Sequence, residues 1–197
     1  GPEVRIERAQ SAGPLEPYRI TVESGDDAPV TASAFTVHAG EGFVRTVVAP
    51  LVRLGWDLRL WEWATDPLTD REGWLGEGEG LTTTRVNDLD FPFGNGGPPN
   101  APANDGQEPA DPVVDGFGLI AQTSTRLPAG RWRLRTLSDD GIRVLINGQT
   151  VIDRWDIHGP TPDEAVFVSD GQSPTTIRVE YFENDGFATL RVGLEPV

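Results

Sequence analysis

The chain has 197 residues, of which 37% are hydrophobic and 8% aromatic, a composition too apolar for a disordered chain. No apolar run approaches the ~18 residues that a transmembrane helix needs, so insertion into a membrane is not expected. Sixteen basic residues, all of them Arg, face 31 acidic ones, and the net charge of −15 disfavours nucleic acid as a partner. The absence of Cys excludes disulfides, thiolate metal sites and cysteine catalysis.

Polar and apolar residues alternate along most of the chain, which predicts β-strands. Asn147-Gly148 separates two such runs and is typical of a two-residue hairpin turn. Turn residues recur about every 10 residues, the spacing of an antiparallel sandwich or barrel. Strands are expected at residues 131–135, 142–146, 150–152, 165–168, 175–182 and 188–194.

Two segments depart from this strand pattern. Residues 66–74 predict one helix, in which Asp66 suits the N-cap, Pro67 the first helical position and Asp70 the first turn. Residues 94–114 contain four Gly and five Pro but no aromatic residue. Because Pro removes hydrogen-bond donors and Gly adds an entropy cost, this segment is expected to be a long surface loop inserted in the sandwich, either disordered or functional.

The chain is expected to have three parts. Gly1-Pro2 is typical of the scar that remains when a protease removes a purification tag. Residues 3–54 form a strand-rich N-terminal extension, with strands expected at 18–23, 30–37 and 43–48, and residues 55–197 form one β-sandwich domain. These extra strands form an accessory sheet or join the main sandwich, and the sequence does not decide between the two.

Catalytic and metal-binding templates find little support in the sequence. There is no Gly-x-Ser-x-Gly nucleophile motif, and neither His38 nor His158 has a Ser and an acid nearby in the chain. Residues 87–92 begin like an EF-hand loop, but Pro92 occupies a position that needs a ligand. The chain is therefore not expected to be an enzyme.

The tetrapeptide Ser138-Asp139-Asp140-Gly141 closes one predicted strand and opens the next. Adjacent side chains of an extended chain point to opposite faces, so these two acids can share a cation only at a cis peptide or a sharp turn. The alternative is an ordinary turn, in which the Asp side chains accept local N–H groups and Gly141 has a positive φ. The residue types alone favour the ordinary turn.

A longer pattern around this tetrapeptide resembles the anthrax protective antigen-type β-sandwich domain family, to which flocculins and yeast adhesin lectins belong. Residues 136–148, followed by Val151-Ile152-Asp153-Arg154-Trp155, resemble the signature of that family. Residues 177–183 resemble its penultimate strand and residues 188–190 its last strand. The resemblance is strong over residues 114–197, looser over 55–93, and does not extend to about the first fifty residues.

This resemblance implies an all-β fold, an antiparallel two-sheet sandwich of the kind appended to extracellular enzymes, adhesins and toxins. In the lectin members of the family, an Asp-Asp pair joined by a cis peptide binds Ca²⁺, which coordinates sugar hydroxyls. Asp139 and Asp140 match that pair. The second calcium loop corresponds to residues 183–187, in which Asn184 or Asp185 supplies a side-chain oxygen.

Two further residues are candidates for ligand binding. Phe187 adjoins the implied second calcium loop and either stacks on a sugar ring or is buried in the core. His158 lies in a loop rich in Gly and Pro and either lines the rim of the site or is an ordinary solvated residue. Trp155 follows a hydrophobic strand and is expected in the core.

The sequence therefore predicts a noncatalytic, Ca²⁺-dependent carbohydrate-binding module, lectin-like or adhesin-like, of a larger extracellular or cell-surface protein. Its expected partners are a glycan or polysaccharide and the other domains of that protein. The alternative is a β-sandwich that holds a structural Ca²⁺, mediates protein contacts and binds no sugar.

Overall fold

The computed structural model describes residues 54–98 and 113–197 in full, together with the backbone of four strands among the first fifty residues. The chain divides into two compact units, Gly1–Val52 and Arg53–Val197, called here the N-terminal unit and the sandwich unit. The N-terminal unit contains two antiparallel ladders, β1 with β2 and β3 with β4. The bounds of these strands are Glu3–Arg8 (β1), Tyr18–Glu23 (β2), Ala32–His38 (β3) and Val44–Pro50 (β4).

In its described residues, 54–98 and 113–197, the sandwich unit has ten strands and one helix. Each of the six strands predicted for this part of the chain lies within an observed strand. The elements are β5 (Trp56–Glu62), α1 (Arg71–Glu79), β6 (Thr84–Val86), β7 (Leu89–Gly94), β8 (Phe117–Thr125), β9 (Gly130–Asp139), β10 (Ile142–Ile146), β11 (Gln149–Arg154), β12 (Thr161–Ser169), β13 (Thr175–Glu183) and β14 (Ala188–Pro196).

These strands form two antiparallel sheets, and the prediction of an all-β sandwich is confirmed. One sheet has six strands in the order β11-β10-β13-β8-β5-β6, and the other has four in the order β12-β9-β14-β7. Asn147 and Gly148 have φ angles of 50° and 80° and form the hairpin turn between β10 and β11, as predicted. Among the residues that the structure describes, no helix is long and apolar enough to cross a membrane.

The main hydrophobic core lies between the two sheets, because alternate residues of each strand face inward. Leu119, Val144 and Val179 of the six-stranded sheet are fully buried there, as are Leu134 and Leu190 of the four-stranded sheet. A second hydrophobic cluster lies on the outer face of the six-stranded sheet, beside α1. Its buried members are Trp61, Trp74, Ile120 and Phe182.

The helix begins later than predicted. Asp70, not Asp66, is the N-cap of α1, and its Oδ1 atom accepts a hydrogen bond from the backbone N–H of Gly73 at 3.0 Å. The Asp66 side chain instead accepts a hydrogen bond from the N–H of Leu68 at 2.8 Å, within a turn that precedes the helix. Both Asp residues are suitable caps, and burial of Trp74 in the second cluster is consistent with the later start.

Two other predictions are revised or only partly covered. Trp155 is half-buried rather than in the main core, and it packs edge-on against Trp74 and Phe182. The predicted loop insertion at 94–114 falls largely on residues 99–112, which lie outside the described part of the chain. Its described ends are adjacent, since a Cβ atom built on Gly97 would lie 1.8 Å from the carbonyl oxygen of Val113.

Candidate functional site

Three carboxylates meet at one end of the sandwich unit. Asp139 ends β9, Asp140 follows it, and Glu183 ends β13. The residues are 6%, 2% and 0% exposed, respectively, and their closest carboxylate oxygens all lie within 4.8 Å of one another. In the part of the chain that the structure describes, this acidic cluster is the one group of three or more potential metal-ligating side chains.

Strand register explains why these residues converge. Ile142 of β10 lies opposite Tyr181 of β13, so the residues before Ile142 meet the residues after Tyr181. A backbone hydrogen bond from the N–H of Phe182 to the carbonyl of Gly141, 3.0 Å long, continues this pairing. The peptide bond between Asp139 and Asp140 is cis.

The Asp140 carboxylate joins two loops that are distant in the sequence. Its Oδ1 atom accepts a hydrogen bond from the backbone N–H of His158 at 3.0 Å. Its Oδ2 atom accepts one from the backbone N–H of Asn184 at 2.9 Å. Loops 155–160 and 183–187 are thus attached to one buried carboxylate.

The acidic cluster has fewer hydrogen-bond donors than its oxygens can accept. The Tyr181 hydroxyl contacts the backbone carbonyl of Asp139 and lies 3.3 Å from Oε2 of Glu183, but its single proton serves one acceptor at a time. The Oε1 atom of Glu183 is buried and has no hydrogen-bond partner among the residues that the structure describes. A buried carboxyl oxygen without a partner is costly, and a cation or a hydrogen-bond donor at this position would remove that cost.

Burial and mutual repulsion disfavour negative charge in the cluster. Burial, followed by the neighbouring charge of Asp140, raises the pKa of Asp139 to about 6. Burial and then the charges of Asp140 and Asp139 raise the pKa of Glu183 to about 9. The pKa of Tyr181 is likewise held well above its usual value, first by burial and then by Glu183.

Gly141 allows Phe182 to pack directly against the backbone of this site. A Cβ atom built on Gly141 would lie 2.0 Å from Cε1 of the Phe182 ring. The φ angle of Gly141 is not positive, so close packing explains the glycine better than turn geometry does.

Loop 183–187 is also held from its other side. The N–H of Gly186 donates to Oδ1 of Asp115 at 3.0 Å, and the N–H of Gly116 donates to the carbonyl of Asn184 at 3.1 Å. The Trp63 indole donates to the carbonyl of Glu183 at 3.1 Å. This loop therefore has a defined position before any ligand binds.

The structure brings together some of the residues singled out from the sequence. Asp139 and Asp140 lie in the acidic cluster, whereas Asn184 reaches it through its backbone N–H. Asp185 is exposed and lies outside the cluster. His158 is half-buried on the facing loop, with Nδ1 at 2.8 Å from the carbonyl of Gly159. Phe187 is 48% exposed, so it is not a core residue.

Glu183 is the member of the cluster that neither the residue patterns nor the family resemblance identifies as a ligand. The alternation of Ile177, Val179 and Tyr181 places Glu183 on the inward face of β13, where its side chain is fully buried. An acidic residue on the inward face of a strand is the sequence signal that identifies it.

Comparison with known proteins establishes the fold. No protein-family model matches the sequence, and no curated protein resembles it closely enough to count as a relative. Among solved structures, a PA14 sugar-binding domain from an RTX adhesin is similar over 74% of this chain and 91% of its own, with 20% identity and a TM-score of 0.53. The PA14 domain of the MpAFP antifreeze protein is similar over 73% and 81% of the two chains, with 16% identity and a TM-score of 0.51.

An anti-sigma factor domain-containing protein is similar over 73% of this chain at 16% identity, with a TM-score of 0.52. The chain covers 43% of that protein, less than half of its length. The sandwich unit has a PA14-like β-sandwich fold, PA14 being the protective antigen-type domain, and the resemblance predicted from the sequence is confirmed at the level of the fold.

Proposed function

We propose that the sandwich unit is a noncatalytic carbohydrate-binding module that binds Ca²⁺ through Asp139, Asp140 and Glu183. The observation that carries this proposal is the buried acidic cluster, with the unpartnered Oε1 atom of Glu183 within it. Carboxylate oxygens are the ligands that Ca²⁺ prefers, and a divalent cation would offset the repulsion that raises the pKa values of Asp139 and Glu183.

The surroundings of the cluster suit a polar ligand with an apolar face. Loops 155–160 and 183–187 present the exposed side chains of Ile157 and Phe187, which are 54% and 48% exposed. Bound Ca²⁺ would supply a positive centre for a pair of sugar hydroxyls. The Phe187 ring would stack on the C–H face of the same sugar, since an exposed aromatic ring is suited to such a contact.

The structural neighbours agree with this proposal. The RTX adhesin domain is described as sugar-binding, and it has the same fold as the sandwich unit. We therefore place this chain outside the cell or at its surface, as one module of a larger protein with other domains. In this proposal residues 3–54 are an extension and residues 55–197 are the binding module.

A structural role for the cation is the second candidate. The three carboxylates are at most 6% exposed, and a deeply buried cation would offer little of its coordination shell to a sugar. In that case the sandwich unit would be a protein-interaction module with a structural Ca²⁺ and without sugar binding.

A glycan array probed with calcium and with chelator distinguishes the two functions. Calcium-dependent binding to glycans with vicinal hydroxyls is expected, with dissociation constants of about 0.1–10 mM for single sugars. Repeated copies of the module would raise the apparent affinity by avidity. Calcium binding measured by calorimetry together with an array that shows no signal would favour the structural role, and absence of calcium binding would contradict both.

A further inference from the structure

A cavity of about 130 Å³ lies on the outer face of the six-stranded sheet. It is lined by Asp57, Arg59, Thr83, Ile120, Gln122 and Arg178, and is called here the arginine pocket.

Strand register defines the floor of the arginine pocket. Gln122 on β8 lies opposite Asp57 of β5 on one side and opposite Arg178 of β13 on the other. Ile120, two residues before Gln122, lies opposite Arg59. Ile120 belongs to the second hydrophobic cluster on the outer face, so these residues share that face by the alternation of the strands.

The acidic groups near the arginine pocket already have cationic partners. Asp57 forms an ion pair with Arg85 at 3.0 Å. Glu180 forms ion pairs with Arg71 and with Nε of Arg178, the latter at 2.8 Å. Arg178 therefore shares Glu180 with Arg71, whereas Asp57 is paired with Arg85 rather than with Arg59.

Both arginines that line the pocket have donors to spare. The Nε atom of Arg59 contacts the Thr83 hydroxyl at 3.5 Å, and Arg59 has no acidic partner among the residues that the structure describes. The terminal guanidinium nitrogens of Arg59 and Arg178 have no hydrogen-bond partner in the same described part of the chain, and neither has the Gln122 amide. Guanidinium groups bind planar carboxylates through paired N–H donors.

We propose that the arginine pocket is a second ligand site, which binds the carboxylate of an acidic sugar such as a uronic acid. Arg59 and Arg178 would hold the carboxylate. Gln122 and Thr83 offer donors and acceptors for neighbouring hydroxyls, and the small volume suits the carboxylate end of the ligand rather than a whole chain.

The lining favours an acidic sugar over an acidic peptide. Ile120 is the one apolar side chain among the lining residues, and its 2% exposure leaves little surface for an apolar peptide side chain. A sugar acid presents mostly hydroxyls and one carboxylate, which matches the polar lining.

The proposal is tested by titrating the whole chain with galacturonate and with galactose, after calcium and then the chelator have been removed, so that the acidic cluster holds no cation and no other carboxylate competes. Calorimetry and NMR of the Gln122 side-chain amide are the readouts. Galacturonate is expected to bind with a dissociation constant of roughly 1–10 mM and to shift the Gln122 signals, whereas galactose binds at least tenfold more weakly.

Variants identify the binding groups. Arg59→Gln should weaken galacturonate binding at least fivefold, and Arg178→Lys should weaken it while keeping the charge that faces buried Glu180. The matched control is Arg131→Gln, an exposed arginine on the four-stranded sheet, which should bind like the wild type. Unchanged spectra away from the pocket would show that each variant is folded.

Four results would overturn the proposal. If galactose binds as tightly as galacturonate, or if Arg59→Gln binds galacturonate like the wild type, Arg59 does not contact a ligand carboxylate. If acetate binds as tightly as galacturonate, the pocket does not recognise the sugar part of the ligand. If N-acetylaspartate binds more tightly, the ligand is an acidic peptide rather than an acidic sugar.

Discussion

The Oδ2 atom of Asp140 accepts a hydrogen bond from the backbone N–H of Asn184, 44 positions later in the chain, at 2.9 Å. This bond attaches loop 183–187 to the carboxylate that also holds loop 155–160 through His158. A change at the acidic cluster therefore has consequences for both loops that flank the proposed binding surface.

Glu183→Gln is predicted to abolish stabilisation by calcium while leaving the cation-free protein about as stable as the wild type. The pKa of Glu183 is about 9, so the side chain is largely protonated at pH 7 without a cation, and Gln resembles that neutral form. In the wild type, calcium at a hundredfold excess over its dissociation constant should add about 2.7 kcal/mol to the free energy of unfolding. Melting curves should then separate by roughly 5–10 °C between calcium and chelator.

Asp90→Ala is the matched control for Glu183→Gln. Asp90 lies on β7, its side chain is 61% exposed, and it pairs with Arg191 at 2.8 Å. Its removal should shift the melting temperature slightly and equally in both buffers, because exposed ion pairs contribute about 0–1 kcal/mol. If wild type and Glu183→Gln respond to calcium alike, Glu183 does not hold the cation.

The cation-free protein should lose stability as the pH rises. The pKa of Glu183 is raised from 4.5 to about 9 and that of Asp139 from 3.8 to about 6, so the folded state binds protons that the unfolded state releases. The stabilisation that these bound protons give the folded state is complete below the pKa values of the unfolded state, decreases between about pH 4 and 9, and is absent above pH 9. Urea denaturation in calcium-free buffer from pH 5 to 9 measures it.

Two comparisons make the pH experiment specific. Calcium should reduce the loss of unfolding free energy with rising pH, because it binds the deprotonated carboxylates that folding otherwise disfavours. Glu183→Gln should remove most of the decline above pH 6, where the pKa of Asp139 has been passed. A wild-type free energy of unfolding that is constant from pH 6 to 9 would contradict a buried, raised pKa at Glu183.

The strand pattern of the sandwich was predictable because the two faces of each strand have different neighbours. Ile142, Val144 and Ile146 face the core, and the alternation that places them there is visible in the sequence. Strand β7 was not predicted, and it contains Pro92, a residue that disfavours a central strand. The structure places β7 at the edge of the four-stranded sheet, where Pro is tolerated.

The site was only partly predictable for a different reason. Asp139 and Asp140 are neighbours in a recognisable pattern, whereas Glu183 joins them through the pairing of β10 with β13. The start of α1 was not predictable either, since Asp66 and Asp70 are both suitable caps and the observed start at Asp70 accompanies burial of Trp74. Register and packing between distant segments are not encoded in local composition.

Gly141→Ala is predicted to destabilise the fold by about 1–3 kcal/mol, because the added methyl group overlaps the Phe182 ring. Gly76→Ala is the matched control, since a Cβ atom there meets nothing within 4 Å and the residue lies inside α1. That control should stabilise the fold by about 0.4–1 kcal/mol. Urea denaturation measures both variants. If Gly141→Ala is as stable as the wild type, the Phe182 ring moves aside without cost.

Asp115→Ala is predicted to weaken glycan binding with little effect on the melting temperature. Asp115 is exposed, and its Oδ1 atom accepts the N–H of Gly186, which helps to fix the loop that carries Phe187. Loss of one such hydrogen bond corresponds to about 1 kcal/mol, or about fivefold in affinity. Asp115→Asn keeps an acceptor oxygen and should restore most of the binding, whereas equal losses in both variants would point to the charge instead.

Phe187→Ala is predicted to reduce glycan binding without changing the response to calcium. The Phe187 side chain is 48% exposed and is not one of the three members of the acidic cluster, so its removal should leave the carboxylates in place. The stacking contact with the C–H face of a sugar would be lost, and affinity should fall at least fivefold, equivalent to about 1 kcal/mol.

Phe187→Tyr keeps the ring and should bind like the wild type. Val168→Ala, at a side chain that is 73% exposed on β12, controls for the loss of an exposed apolar group elsewhere. Calorimetry with one glycan identified on the array, together with melting curves in calcium and in chelator, separates the two effects. A variant that loses both glycan binding and the calcium response would place Phe187 in the support of the metal site rather than on the sugar.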